Sequence, residues 1–137
     1  MEQLDYQQMN GLSLAYIGDA IYELTVRNHL VSLGLTKVND LQKKSRDYVS
    51  AKAHAALYQL MEENHYLNDE EMVYFKRGRN AKSYTKAKNT NVVAYRISTG
   101  VEAMIGYLYL SQQQERLTEM MEWIFIQVES GKTNESR

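Results

Sequence analysis

The chain is 137 residues long, 44% hydrophobic and 24% charged, with no cysteine and no proline. That length fits one domain with its own core, and the missing cysteines exclude a disulfide framework, a thiolate zinc site and a cysteine nucleophile. The net charge of −1 hides an asymmetry: residues 76–88 hold six basic side chains and no acid, against 10 basic and 17 acidic groups elsewhere; the overall balance therefore excludes no polyanionic ligand.

Runs of Ala, Leu, Met, Glu, Gln and Lys favour helix along the whole chain. Residues 1–10 read as a polar lead-in. The first main helix is expected from about Leu12 to about Leu33, closed by Gly34 in the left-handed region. After a connection with Thr36 and Asn39 as candidate caps, one long helix is expected from about Asn39 to Asn64 on the helical spacing of Leu41, Tyr48, Val49, Ala53, Leu57 and Met61. Asn68-Asp69-Glu70-Glu71 reads as a capping box opening a short helix to about Lys76. The basic segment Lys76 to Lys88, interrupted by Gly78, Asn80, Ser83, Thr85 and Asn89, reads as a loop. A further helix follows from about Asn91 to Leu110. Ser111 with Gln114 suggests another capping box, opening a last amphipathic helix carrying Leu117, Met120, Met121, Ile124 and Val128 on one face. The fold class is all-α: a single domain over residues 1–137, with its core at about 12–130 and a polar tail from 131. No apolar run approaches about 18 residues, so no membrane span is expected. The first residues lack the pattern of a signal peptide, and a cytoplasmic protein is expected.

Two of these helices carry one isolated acid each. Asp19 is the single formal charge between Asp5 and Glu23, and Glu102 the single one between Arg96 and Glu115. Both are expected to be buried among apolar neighbours, where a carboxylate costs several kcal/mol unless compensated. A shared divalent cation with oxygen ligands compensates both at once. The competing reading makes Asp19 a packing or capping residue and Glu102 the partner of a nearby Lys or Arg. Glu23, one turn after Asp19, shares its face and is either an outer support of that site or a solvated acid.

The stretch Tyr16-Ile17-Gly18-Asp19-Ala20-Ile21 resembles the signature helix of ribonuclease III domains, and Val101-Glu102-Ala103-Met104-Ile105-Gly106 resembles the same family's second acidic block. Tyr48-Val49-Ser50-Ala51-Lys52 falls between them, where the family has a helix beginning near Leu-Val-Ser. The resemblance covers about Leu12 to Val128. It is closest to the Mini-ribonuclease III branch, which has no appended double-stranded-RNA-binding domain, through Ala15 to Glu23 and the basic Arg77-Gly78-Arg79-Asn80-Ala81-Lys82. It implies a ribonuclease III-type helical bundle that forms a homodimer. It further implies a Mg²⁺-dependent endoribonuclease with Asp19 and Glu102 as catalytic metal ligands, cutting double-stranded RNA to 5′-phosphate ends. Maturation of large-subunit (23S) ribosomal RNA is the implied role, with room for a ribosomal-protein helper. Larger ribonuclease III enzymes carry further acids at the positions of Leu12, Ala15 and Thr99. Their absence here resembles the Mini branch and implies one well-held Mg²⁺ per site.

Without a separate RNA-binding domain, Lys76, Arg77, Arg79, Lys82, Lys86 and Lys88 are expected to contact duplex phosphates, with Lys52 near the active site and Tyr84 as a stacking or 2′-hydroxyl contact. The plain alternative is a solvated charge run. His29, His54 and His65 share no ligand spacing and receive no role. Two rival functions are a non-catalytic double-stranded-RNA-binding module on the same fold and a helical interaction protein.

Overall fold

The computed structural model describes residues 5–82 and 91–134. Among them the chain forms a short 3₁₀ turn at Tyr6–Gln8 and six α-helices: α1 Gly11–Ser32, α2 Val38–Val49, α3 Ala51–Glu63, α4 Asp69–Arg79, α5 Val92–Leu110 and α6 Gln114–Glu129. No strand occurs among the described residues, and no helix is long and apolar enough to cross a membrane.

α5 is the central helix. Ten of its residues are buried, and it packs against α1, α4 and α3. Its closest neighbour is α1, because both helices present glycine at the crossing. A Cβ at Gly18 would overlap the Glu102 carbonyl oxygen, and one at Gly106 would overlap the Leu14 carbonyl oxygen. Backbone lies directly on backbone there, with no side chain between. α6 is tied to α4 by Arg116, whose Nε and Nη2 donate to the two oxygens of the fully buried Glu71 at 2.7 and 2.8 Å. Glu71 also completes the expected capping box with Asn68. Gly34 follows the end of α1 with φ +96°, in the left-handed region as expected.

Four local expectations are corrected. The long helix expected between Asn39 and Asn64 is two helices broken at Ser50, whose ψ of 157° is extended. The Tyr48 carbonyl, which a continuous helix would use, accepts instead from the Tyr22 hydroxyl at 2.6 Å, and the Ser50 hydroxyl caps α3 by accepting from Ala53 N at 3.1 Å. The basic segment is not a loop from its first residue. α4 continues through Arg79 because Gly78 fits against Thr99, Gly100 and Ala103 of α5, and three basic residues in its last turn suit the helix dipole. Ser111 caps the end of α5 rather than the start of α6, with Gln112 turning at φ +62°. Neither Thr36 nor Asn39 caps α2, which starts after Lys37 without a side-chain cap.

Candidate active site

The glycine contact that joins α1 to α5 also fixes what stands beside it. Gly18 lies on the Glu102 backbone, so Asp19 and Glu102, 83 positions apart in sequence, come together at the crossing. Their carboxyl groups are within hydrogen-bonding reach. Their burial differs from expectation: Glu102 is half-buried, but Asp19 is exposed in the single chain. Asp19 sits at the mouth of the site and Glu102 behind it. Burial first, then the hydrogen bond with Asp19 and the charges of Asp19 and Glu23, push the Glu102 carboxyl up to about 9. Two carboxylates that close cannot both ionise cheaply, and a proton or a cation must sit between them.

Glu23 contributes charge to this pair while lying 3.4 Å from Arg27 Nε at the rim. Among the described residues no group of three or more His, Cys, Asp or Glu side chains converges to hold a metal ion. The donor set is therefore two carboxylates. That set fits Mg²⁺, which usually takes one or two protein carboxylates and keeps several waters. It does not suit a cation needing an all-protein cage. Where larger enzymes of the resembling family have further acids, Ala15 and Thr99 are buried and Leu12 is apolar; Thr99 turns its hydroxyl back to the Tyr95 carbonyl at 3.2 Å.

Behind the two acids lies a buried polar group to which the sequence alone assigns no role. His54, on α3, is 1% exposed, and its Nδ1 lies 2.7 Å from the Ser98 hydroxyl. The Tyr22 ring meets it edge-on, with centroids 4.7 Å apart. Burial lowers His54 to about 4, and the Asp19 carboxylate opposes that fall. Burial, and after it the charge of Glu102, raises the Tyr22 hydroxyl well above its usual range. The available signal was one histidine inside the otherwise apolar run Ala53–Leu57.

The expected RNA-binding cations divide by environment. Lys52, Lys76 and Lys82 are exposed, whereas Arg77 and Arg79 are half-buried. Arg77 Nη1 donates to the Gln7 and Met9 carbonyls at 2.8 and 3.0 Å, and its guanidinium covers the Tyr74 ring at 4.7 Å. The Arg79 guanidinium lies 5.6 Å from the centre of the Phe75 ring. Lys86, Lys88 and Tyr84 fall outside the described residues. On the far side of α1 a groove of about 740 Å³ runs between α1 and α6, lined by Ile21, Leu24, Tyr109, Leu117, Met121 and Ile126 among others.

The all-helical architecture is the one that the resemblance implies. The Ribonuclease III domain model matches residues 12–113, and the chain belongs to that family. Within it, the chain is similar to Mini-ribonuclease 3 of Enterococcus faecalis, 56% identical over 131 residues that cover 96% of this chain and 98% of the relative. Mini-ribonuclease 3 of Streptococcus pneumoniae is 47% identical over 126 residues, covering 92% and 98%. A crystal structure of a Fusobacterium nucleatum protein superimposes with a TM-score of 0.75 at 30% identity, over 88% of this chain and 95% of that one. By its family the chain is an endoribonuclease, a hydrolase of phosphodiester bonds.

Proposed function

We propose that the chain is a Mg²⁺-dependent endonuclease of double-stranded RNA that works as a homodimer in the cytoplasm on precursor large-subunit ribosomal RNA. The observation that carries the reading is the meeting of Asp19 and Glu102 at the α1–α5 crossing, with Glu102 pushed up to about 9 by burial and then by Asp19. Asp19 and Glu102 would hold one Mg²⁺, which when bound supplies a water of lowered pKa and positive charge for the scissile phosphate. The carboxylate of Asp19, exposed at the mouth, is placed to orient what enters. Glu102, backed by α5, keeps that position fixed. Lys76, Arg79, Lys82, Lys86, Lys88 and Lys52 are read as phosphate contacts, and Arg77 adds its charge from an anchored position.

The second protomer is inferred from α1. Leu12, Tyr16 and Leu24 are 40%, 80% and 58% exposed on the same helix that carries Asp19, and the α1–α6 groove adjoins Leu24. Two copies joined through this helix bring two sites near one duplex, one for each strand.

The deciding experiment incubates the purified chain with a long RNA duplex, with and without Mg²⁺. Cleavage to 5′-phosphate ends is expected only with the metal. Asp19→Asn and Glu102→Gln are each expected to lose at least about a hundredfold in rate while keeping the parental helix content, since each near-isosteric change removes a ligand charge. A rate within a few-fold of the parent in either variant rejects the metal assignment, and duplex binding without cleavage by the parent chain favours the non-catalytic module.

A further inference from the structure

We infer that the N-terminal turn Tyr6–Gln8 is a positioning element for RNA binding: fastened through Arg77, it holds the last turn of α4 in order before a duplex arrives, with Lys76 and Arg79 already in place. The inference rests on the reading of those cations as phosphate contacts proposed above. It makes Arg77 a positioning residue and not a phosphate contact.

The last turn of α4 is a poor helix by its own sequence. Gly78 sits inside it, and Lys76, Arg77 and Arg79 crowd three like charges into four positions. Glycine weakens a helix through backbone entropy, and like charges one turn apart repel. Contacts from outside α4 therefore have to hold this turn, and they come from two sides. On one side Gly78 lies against Thr99, Gly100 and Ala103 of α5. On the other the start of the chain closes over it. A Cβ at Gly11 would overlap the Arg77 carbonyl oxygen, and Arg77 Nη1 donates to the Gln7 and Met9 carbonyls at 2.8 and 3.0 Å.

The turn that accepts those bonds is itself anchored. Tyr6 is half-buried, with its ring centre 5.6 Å from that of Tyr107 on α5 and 6.1 Å from that of Tyr74 on α4. Those two rings stack on each other at 4.0 Å, and the Tyr107 hydroxyl donates to Glu70 Oε2 at 2.7 Å. The Asp5 carboxylate closes the turn by accepting from Gln7 N at 3.1 Å. Arg77 spends both Nη1 protons on the two carbonyls, and its guanidinium covers the Tyr74 ring. Lys76 and Lys82 beside it stay exposed. The fastening also ties these cations to the helix of the acid pair. Asn10, which follows the turn, caps α1 by accepting from Ser13 N at 2.8 Å. Asp19 lies eight residues beyond Gly11, about 12 Å along that helix. A turn that frays has to be ordered at each binding event, which lowers affinity without changing the contacts in the complex.

The test measures binding of a long RNA duplex to the full chain without divalent metal, so that no cleavage intervenes, with thermal melts to confirm folding. Affinity is followed against salt for the parent, Tyr6→Ala, Arg77→Ala, their combination, and Lys76→Ala with Lys82→Ala. Tyr6→Ala removes no charge, yet it and Arg77→Ala are each expected to bind about fivefold more weakly at every salt concentration, with the parental slope of log affinity against log salt. The combination is expected to bind no more weakly than either single variant, because both changes undo one fastening. Amide hydrogen exchange at residues 76–80 is expected to quicken in free Tyr6→Ala and to return to the parental rate on the duplex, which separates positioning from a direct contact of Tyr6 with RNA. Parental affinity or parental exchange in Tyr6→Ala overturns the inference, and that variant decides by itself should Arg77→Ala not fold. Effects that multiply in the combination overturn it too. So does a slope flattened by about 0.7–0.9 in Arg77→Ala, which makes the guanidinium a phosphate contact. If the lysine pair leaves the slope unchanged, the phosphate reading itself fails and the inference falls with it.

Discussion

Glu102 is half-buried with a second carboxyl group in reach, and this makes the stability of the metal-free chain depend on pH. The group moves from 4.5 to about 9 on folding. Below 4.5 the carboxyl is protonated in both states. Between 4.5 and 9 the folded chain keeps a proton that the unfolded chain has released, so stability falls as pH rises through that window. His54 acts with the opposite sign and lower down: lowered from 6.5 to about 4, it withdraws stability as pH falls from 6.5. Between pH 7 and 9 the Glu102 effect therefore stands by itself. Melts of the metal-free parent in that range are expected to drop steadily, while Glu102→Gln loses the slope and melts a few degrees higher at pH 8. Equal slopes in the two chains reject the account of the paired carboxyls. Asp19 and Glu102 stand out in the sequence because each is the single formal charge in a long apolar run, Asp19 between Asp5 and Glu23 and Glu102 between Arg96 and Glu115. The exposure of Asp19 is not legible there, since it depends on which face of α1 the other helices cover.

Among the elements, the α1–α5 crossing carries the arrangement of the site. Gly18→Ala would put a methyl group into the Glu102 carbonyl, and backbone cannot swing aside as a side chain can. A loss of about 3 kcal/mol is expected, the upper end of overpacking costs, despite the better helix propensity of Ala; denaturant unfolding measures it, and a stable Gly18→Ala chain contradicts the close crossing. The end of α4 gives a contrasting pair. Arg77→Ala removes two hydrogen bonds to the Gln7 and Met9 carbonyls and is expected to cost about 1–3 kcal/mol in stability. Lys76→Ala with Lys82→Ala, both at exposed positions, should leave the melt unchanged. That double variant should flatten the slope of log affinity for duplex RNA against log salt by about 0.7–0.9 for each phosphate that is no longer neutralised. An unchanged slope returns these lysines to a solvated charge run. Helical period located the elements well but could not see the Ser50 break, because the cause is the Tyr22 hydroxyl, 26 residues away in sequence, taking the Tyr48 carbonyl.

The whole molecule is legible in outline from the order of its helices, and its assembly follows from what those helices leave uncovered. α1 buries Leu14, Tyr22, Val26 and Leu30 in its own bundle, yet Tyr16 and Leu24 stay 80% and 58% exposed on it. A helix apolar on more faces than one bundle can cover is suited to a second bundle. Leu24 borders the α1–α6 groove, and α1 also carries Asp19, so a two-fold contact through this helix would join two sites into one valley. At micromolar concentration the chain is expected to sediment at twice its 15.9 kDa mass. Tyr16→Asp with Leu24→Asp places charge in the proposed interface and spares the buried face of α1. This double variant should sediment as a monomer of parental helix content and lose coordinated cutting of both strands, as seen on duplexes labelled in each strand. A parent that is monomeric under those conditions and still cuts both strands together rules out the paired arrangement.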